Sequence, residues 1–203
     1  ASELAQTSKA VDAAVATQSA YNAQLAGLQA SKLALETEKK AYTDAGIETQ
    51  YEQINESFAS VRNMASGYGM DASAYPADIS DALKSPKKLE ALTAFMKQIG
   101  QSDAAASLTT DNLKQLDQIV NTRLPQIDTE LANLAVEIQA AQAIADQVNE
   151  QVKAATDNYE ALESGKISAA VGFSTGAAQI ADGQAALSNS EEQLADAQSS
   201  YEQ

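Results

Sequence analysis

Apolar residues recur at alternating spacings of three and four along both ends of the chain. All three prolines, at positions 76, 86 and 125, fall in the middle third. Long proline-free segments rich in Ala, Gln, Glu and Leu favour long helices. The pattern therefore predicts an ascending helix over residues 1–65, a distinct middle segment over 66–125, and a descending helix over 126–203.

The descending segment carries the clearest periodicity. Two rows repeat every seven positions, the first being Val120, Ile127, Leu134, Ala141, Val148, Ala155 and Leu162, and the second Leu124, Leu131, Ile138, Ala145, Val152 and Tyr159. Paired rows of this kind are typical of a coiled coil. A glycine-containing stretch at 164–176 predicts a bend or break in the helix. Beyond it, the spacing of seven resumes at Ile180, Leu187, Leu194 and Tyr201, and Gly183 and Ala197 on the same stripe favour close helix packing.

The ascending segment has matching rows. They comprise Leu4, Val11 and Leu25 in one, and Ala14, Tyr21, Leu28, Leu35 and Tyr42 in the other. After Gly46 the register shifts, which predicts altered winding without an end to the helix. Neither segment is apolar all round, so each must pack its stripe against another helix. We predict an all-α fold, a long antiparallel coiled-coil hairpin of roughly 90 Å at 1.5 Å per residue, with a small helical lobe at its far end.

The middle segment has the signals of several short helices. Pro76 can open one helix, Ser85 and Pro86 can begin another that Gly100 ends, and Thr109 or Thr110 can cap a third. Pro125 predicts a kink or boundary. The large apolar residues here are expected to build the lobe's core, with one or two at the surface as partner contacts: Tyr68, Met70, Tyr75, Phe95 and Met96.

Composition narrows the function. The formal charge is −15, with net −1 in the lobe and −14 in the two flanking segments, and the chain has no His, Cys or Trp. Such a charge disfavours nucleic acid and anionic membrane surfaces as partners. Nucleophilic catalysis with His or Cys and most transition-metal sites cannot be assembled. We therefore expect no enzyme activity, no cofactor and no metal site.

The remaining polar motifs have structural explanations. Asp71 and Asp78 begin short stretches that lack the alternating oxygen ligands and central Gly of a calcium loop, so they are interpreted as helix caps and turns. The glycines between 165 and 183 fit no nucleotide fingerprint, and flexibility or close helix packing accounts for them. A carboxylate-only enzyme would require two facing acids in a lobe pocket.

The chain contains no stretch of about 20 apolar residues, so the sequence predicts no membrane span. It begins at Ala1 rather than Met and reaches Gln203 inside a helical pattern. These features lead us to expect a fragment of a larger protein.

One run of sequence resembles a known family. Residues Tyr159 to Phe173, reading YEALESGKISAAVGF, lead into Ala178 to Leu187, reading AQIADGQAAL. This text is similar to the coiled-coil insertion of AcrB-type RND efflux permeases of Gram-positive bacteria. Similar phrasing occurs in ectodomains of YhgE/Pip-type proteins and FtsX-like ABC permeases.

The resemblance implies a location on the extracellular side of the plasma membrane, as part of a membrane-anchored export permease. There the chain would act as a non-catalytic spacer and docking domain. Its partners would be the rest of the parent protein, with sister subunits or an envelope protein reached through the lobe. The alternative is a free-standing structural hairpin or the coiled coil of a membrane-fusion adaptor. Membrane spans in the flanking sequence would favour the permease, and β-rich flanks the adaptor.

Overall fold

The computed structural model describes the backbone of residues 2–201 and the side chains of residues 3–193. The described residues contain no strand, and the prediction of an all-α helical hairpin is confirmed. The elements are α1 (Ser2–Asp44), α2 (Ile47–Gly67), a 3₁₀ turn (Ala72–Ala74), α3 (Ile79–Lys84), α4 (Pro86–Gln98), α5 (Ser102–Ser107), α6 (Thr110–Gln118), a π turn (Ile119–Arg123) and α7 (Leu124–Tyr201). The predicted stripe positions Leu194, Ala197 and Tyr201 lie outside the described side chains.

The chain divides into two compact units. The first comprises Ala1–Ala23 with Ala143–Gln203, and the second comprises Gln24–Gln142. Both contain a stretch of α1 and a stretch of α7.

In the first unit, the beginning of α1 runs antiparallel to α7. The side-chain amide nitrogen Nε2 of Gln18 donates a hydrogen bond to Oδ1 of Asn149 at 2.7 Å. On α7 the side chains of Ala145 and Val148 are buried, and Val152, Ala155 and Tyr159 are half-buried. The facing α1 positions are also half-buried, namely Leu4, Val11, Ala14, Gln18 and Tyr21. The predicted rows therefore form the seam of this helix pair.

In the second unit, the remainder of α1 faces the start of α7. Leu124, Ile127 and Ala141 are buried. Two ion pairs cross between these helices: Lys39 Nζ lies 2.5 Å from Asp128 Oδ1, and Arg123 holds Glu38 with two guanidinium nitrogens at 2.7 and 2.5 Å. A two-pronged Arg–carboxylate pair fixes orientation more tightly than a single contact.

The ascending segment has a break where the sequence predicts only a change of register. Helix α1 ends at Asp44, and α2 begins at Ile47 after Gly46, whose φ of 63° lies in the left-handed region. The N–H of Gly46 donates to the carbonyl of Thr43 at 2.9 Å. Glycine adopts this conformation without a Cβ clash, so it can end one helix directly before the next.

The lobe is built from α2 through α6 around one apolar core. Its buried members are Phe58, Val61, Ala65, Tyr75, Ile79, Ala82, Leu89, Leu92, Phe95, Met96, Ala105, Leu108, Leu113 and Leu116. The helices begin at identifiable signals: the carboxylate of Asp78 accepts from the N–H of Asp81, and the Thr109 hydroxyl accepts from the N–H of Asn112. Gly100, with φ 84°, follows the end of α4.

One start differs from the sequence expectation. Pro76 does not open α3, which begins three residues later at Ile79 under the Asp78 cap. Instead, Pro76 is buried in the segment before the helix. A side-chain cap satisfies a free N–H of the first turn, which proline alone cannot do.

Pro125 lies just after the π turn that joins α6 to α7. Proline cannot donate a backbone hydrogen bond, and its ring would clash with the carbonyl four residues earlier in a regular helix. The wider π turn over Ile119–Arg123 moves that carbonyl away, so the helical path continues.

The glycine-containing stretch at 164–176 does not interrupt α7, which runs through it to Tyr201. A Gly costs about 1 kcal/mol relative to Ala in a helix interior. The Ala-rich surroundings compensate for this cost. The helix break that the sequence allows at 164–176 is therefore absent from the described part of α7.

Candidate interaction site

An exposed apolar patch lies in the lobe just after the end of α2. Tyr68 is 70 % exposed, and Met70 is also exposed. Tyr75, Phe95 and Met96 are buried in the lobe core. Of the five predicted contact residues, two are therefore at the surface and three are buried.

Ring contacts hold the patch on its base. The ring of Tyr68 meets that of Phe95 nearly edge-on, with centroids 6.3 Å apart, and the ring of Tyr75 lies 5.7 Å from Phe95. The Tyr75 hydroxyl donates to the sulfur of Met70 at 3.2 Å. Edge-on aromatic pairs contribute about 0.5–1.5 kcal/mol beyond burial. The exposed side chains are thus oriented by a rigid core.

The backbone under the patch is fixed by a tight turn. Gly69 has φ 76°, and the N–H of Met70 donates back to the carbonyl of Ala65 at 3.0 Å. Asp71 then accepts from both the N–H and the hydroxyl of Ser73, at 2.9 and 2.8 Å. The backbone N–H of Ser73, followed by its hydroxyl, lowers the pKa of the Asp71 carboxyl. Asp71 therefore acts as the turn residue that the sequence predicts.

A second feature of the lobe is a cleft of about 510 Å³ between α2, α5 and α6. Its floor is apolar, and its rim carries neutral amides and hydroxyls; the lining residues are Ile47, Gln50, Gln53, Ile54, Ser57, Met96, Ala104, Ser107, Leu108, Asn112, Leu113, Gln115, Leu116 and Ile119. No acidic side chain is among them. The cleft therefore suits a neutral apolar surface better than a charged one.

Sequence reasoning did not find this cleft. Its two walls lie far apart in the chain, and each wall residue reads locally as an ordinary helix position. One signal was available: Gln50 and Gln53 on α2, and Asn112 and Gln115 on α6, are exposed neutral amides on two helices of the same lobe.

The base of the lobe is closed by a polar network. The Tyr51 hydroxyl donates to Asp117 at 3.2 Å and accepts from the Asn121 amide at 2.9 Å. Burial is the main cause that raises the pKa of Tyr51. Nearby, the hydrogen bonds from Arg123 lower the pKa of Glu38, and the same pair raises the pKa of Arg123. These groups join the helices next to the π turn.

Asp81 holds α3 to α4. Its carboxylate accepts from the N–H of Ala77 at 3.0 Å and from Lys88 Nζ at 3.0 Å. The Ala77 N–H, and then Lys88, lower the pKa of this carboxyl. Asn55 on α2 accepts from the N–H of Ile79 at 2.9 Å, which fixes the start of α3 against α2. The acids of this region thus serve as caps and ties.

Comparisons with protein-family models, with curated proteins and with solved structures give no match for this chain. Among the described residues, no helix is both long and apolar enough to cross a bilayer. Within the same residues, no group of three or more acidic side chains is arranged to hold a metal ion.

Proposed function

We propose that this chain is a non-catalytic spacer and docking domain on the extracellular side of a membrane export permease. The observation that supports this proposal most is the apolar patch of Tyr68 and Met70 on a rigid lobe, next to a helical hairpin. The family resemblance of residues 159–187 supplies the membrane context. In this role the helices set a distance, and the lobe carries the contact.

The distribution of charge supports the lobe as the contact region. Residues 66–125 have six basic and seven acidic side chains, whereas the two flanking segments together have seven basic and 21 acidic. Protein interfaces are depleted of charge at their centre and enriched in Tyr and Met. A nearly neutral segment with an exposed Tyr and Met fits that composition, and the flanks do not.

The patch also has the construction of a binding hot spot. Tyr68 offers a large apolar ring whose orientation is already restricted by Phe95, so little side-chain entropy is lost when a partner covers it. The turn at Gly69 and the Asp71–Ser73 hydrogen bonds restrict the backbone as well. The preferred partner is a protein with an apolar pocket.

Location is tested in the native host. An antibody raised against the lobe is applied to intact cells and to permeabilised cells, and the flanking reading frame is determined in parallel. We expect equal labelling of both preparations and several membrane spans beside this segment. Labelling only after permeabilisation would contradict an extracellular site, and β-rich flanks would support the adaptor instead.

Docking is tested with a photo-crosslinking amino acid in place of Tyr68 in the intact parent protein. We expect one discrete adduct, which is lost when Met70 is also replaced by Ser. Leu33, which is 63 % exposed on α1, is the matched control position and should give no adduct. Equal adducts from both positions would rule out the patch as the docking surface.

A further inference from the structure

The stretch of α7 from residue 166 to 193 extends past the described start of α1 and has no described helix opposite it. Counting sixteen residues outward from the Gln18–Asn149 hydrogen bond places Ser2 opposite residue 165. From residue 160 to 193 every side-chain position is exposed except Gly176, which is half-buried. Phe173, Ile180 and Leu187 are 78, 65 and 62 % exposed. An apolar stripe of this length marks an interaction surface.

This stripe continues the seam already formed in the first unit. Phe173, Ile180 and Leu187 follow at spacings of seven from Tyr159, with Lys166 between, and Tyr159 is half-buried where α7 faces α1. The companion row turns small along the same stretch, with Ala169, Gly176, Gly183 and Ser190. The face of α7 that packs against α1 up to residue 159 therefore keeps the same heptad register after residue 159. Such a face is expected to pack against another helix.

The large-residue row of one copy is complementary to the small-residue row of a second copy when the two helices run antiparallel. In an antiparallel pair each layer combines a residue from one row with a residue from the other. Two copies paired about Ala178 place Phe173 opposite Gly183 and Ile180 opposite Gly176. Leu187 then faces Ala169, and Lys166 faces Ser190. Each bulky side chain meets a small one, which allows interaxial distances near the short end of the range of about 8–10 Å.

A parallel pair would pack poorly. Its layers would combine each residue with its own copy, so Phe173 would meet Phe173 while Gly176 met Gly176. Crowded layers would alternate with empty ones, and both overpacking and voids are destabilising. The sequence of the stripe thus selects the antiparallel arrangement.

Charge permits pairing with a like copy at this stretch. Between Lys166 and Glu191 the one charged residue is Asp182, although the whole chain has a formal charge of −15. Asp182 follows Ile180 by two positions, which places it about 200° around the helix, away from the seam. No like charges face each other over the middle of the pair. Lys166 lies in the layer beside Glu191 of the other copy, with opposite charge.

The length is sufficient. Residues 166–190 of one copy would pair with the same residues of the other over about three and a half heptads, and about three to four sustain a coiled coil. We propose that this segment is a homodimerisation site, in which a second copy of the chain packs antiparallel against residues 166–190. This inference does not depend on the proposed function, because it concerns a different surface and a different partner.

Sedimentation equilibrium of the full chain tests the site. We expect a monomer–dimer equilibrium with a dissociation constant in the micromolar range, and Ile180→Glu should weaken it at least about 100-fold because two unpaired charges would be buried. Val171→Glu is the matched control: Val171 is 60 % exposed, and it lies nine residues before Ile180, about 180° around the same helix. This control should dimerise like the parent chain.

Cysteine cross-linking tests the orientation, since the chain has no Cys of its own. Phe173→Cys and Gly183→Cys are prepared as separate proteins. Under mild oxidation each variant alone should form no disulfide-linked dimer, and an equal mixture should give a covalent heterodimer. Strong self-cross-linking of Phe173→Cys would contradict the antiparallel arrangement.

Circular dichroism of every variant verifies that α7 remains helical. A parent chain that stays monomeric at millimolar concentration would overturn the proposal and assign the stripe to a different helix. Equal loss of dimer in Val171→Glu and Ile180→Glu would also overturn it, because the seam face would then have no special role. Dimerisation that requires Tyr68 instead would place the interface in the lobe and contradict the site.

Discussion

The lobe and the seam of the first unit are stabilised in different ways. In the lobe, large side chains such as Phe58, Ile79 and Leu92 are fully buried and belong to one continuous core. In the seam, the buried α7 residues are Ala145 and Val148, and the remaining positions are only half-buried. Buried apolar area contributes roughly 25 cal/mol per Å². The lobe therefore gains far more stability per residue than the helix pair does.

The two regions consequently have different structural roles. A core of interlocking large side chains fixes one arrangement, and it orients Tyr68 through Phe95. A seam of small and half-buried residues holds two helices together along many turns while burying little apolar area per residue. Four substitutions test this difference.

Truncation inside the lobe core has the largest expected effect. Phe58 is fully buried, so Phe58→Ala should lower the free energy of unfolding by about 3–5 kcal/mol through lost transfer energy and an unfilled cavity. Urea denaturation followed by circular dichroism measures it. The control Leu33→Ala, at an exposed position, should change it by less than about 0.5 kcal/mol. Similar losses for both would contradict the burial of Phe58.

Truncation in the seam should cost less and act locally. Val148 is buried in the seam, and Val148→Ala removes two methyl groups, which corresponds to about 1.5 kcal/mol at about 0.8 kcal/mol per methyl-sized group. Hydrogen exchange should accelerate in residues 143–159 and in the facing part of α1, with the lobe unchanged. Uniform acceleration over the whole chain would show that the units open together.

The break before α2 should resist any side chain. Gly46 has φ 63°, and a Cβ placed there would meet no atom within 4 Å, so backbone strain alone opposes substitution. Gly46→Ala should cost about 1–2 kcal/mol in unfolding free energy. Gly27→Ala, within α1 and with equally open space, should instead stabilise by about 1 kcal/mol. A neutral Gly46→Ala would mean that α1 and α2 form one helix in solution.

Acid should weaken the helix contact near the π turn. Arg123 lowers the pKa of Glu38, so the unfolded chain binds more protons than the folded chain as pH falls below the ordinary value of 4.5. The contribution of the pair is complete above that pH and is lost as pH falls through the lowered pKa. Glu38→Gln should flatten the dependence of the urea midpoint on pH below 4.5, and Glu36→Gln is the control. An unchanged pH profile in Glu38→Gln would show that this pair contributes nothing.

The helical pattern could be predicted from sequence because it depends on local periodicity. The α7 rows from Leu124 to Tyr159 were assigned correctly, since heptad spacing places them on one side of a helix whatever their partner is. The Thr109 cap and the glycine stop at Gly100 were also predicted, because both act within a single turn. The break at Gly46 was predicted as a register shift, and Pro76 as a helix start. The structure differs at both positions because the left-handed turn at Gly46 ends α1, and the Asp78 cap sets the start of α3.

The candidate site was only partly predictable. The five aromatic and Met residues of the lobe were recognised by type, but which of them face solvent depends on how α2 and α4 pack together. Tyr68 is exposed and Phe95 is buried, although both are aromatic residues of the middle segment. The cleft over α6 and the Arg123–Glu38 pair join positions far apart in the chain, and no local pattern reports such pairs.

Cysteine cross-linking tests the antiparallel pairing of α1 with α7 in the first unit. A chain with Gln18→Cys and Asn149→Cys is treated with a short bismaleimide under monomeric conditions. Because these side chains are hydrogen-bonded at 2.7 Å, we predict efficient intramolecular linkage and faster migration on a denaturing gel. The pair Gln18→Cys and Gln179→Cys, displaced by about 45 Å along α7, should give none. Failure of the first pair, or equal linkage of both, would contradict the hairpin.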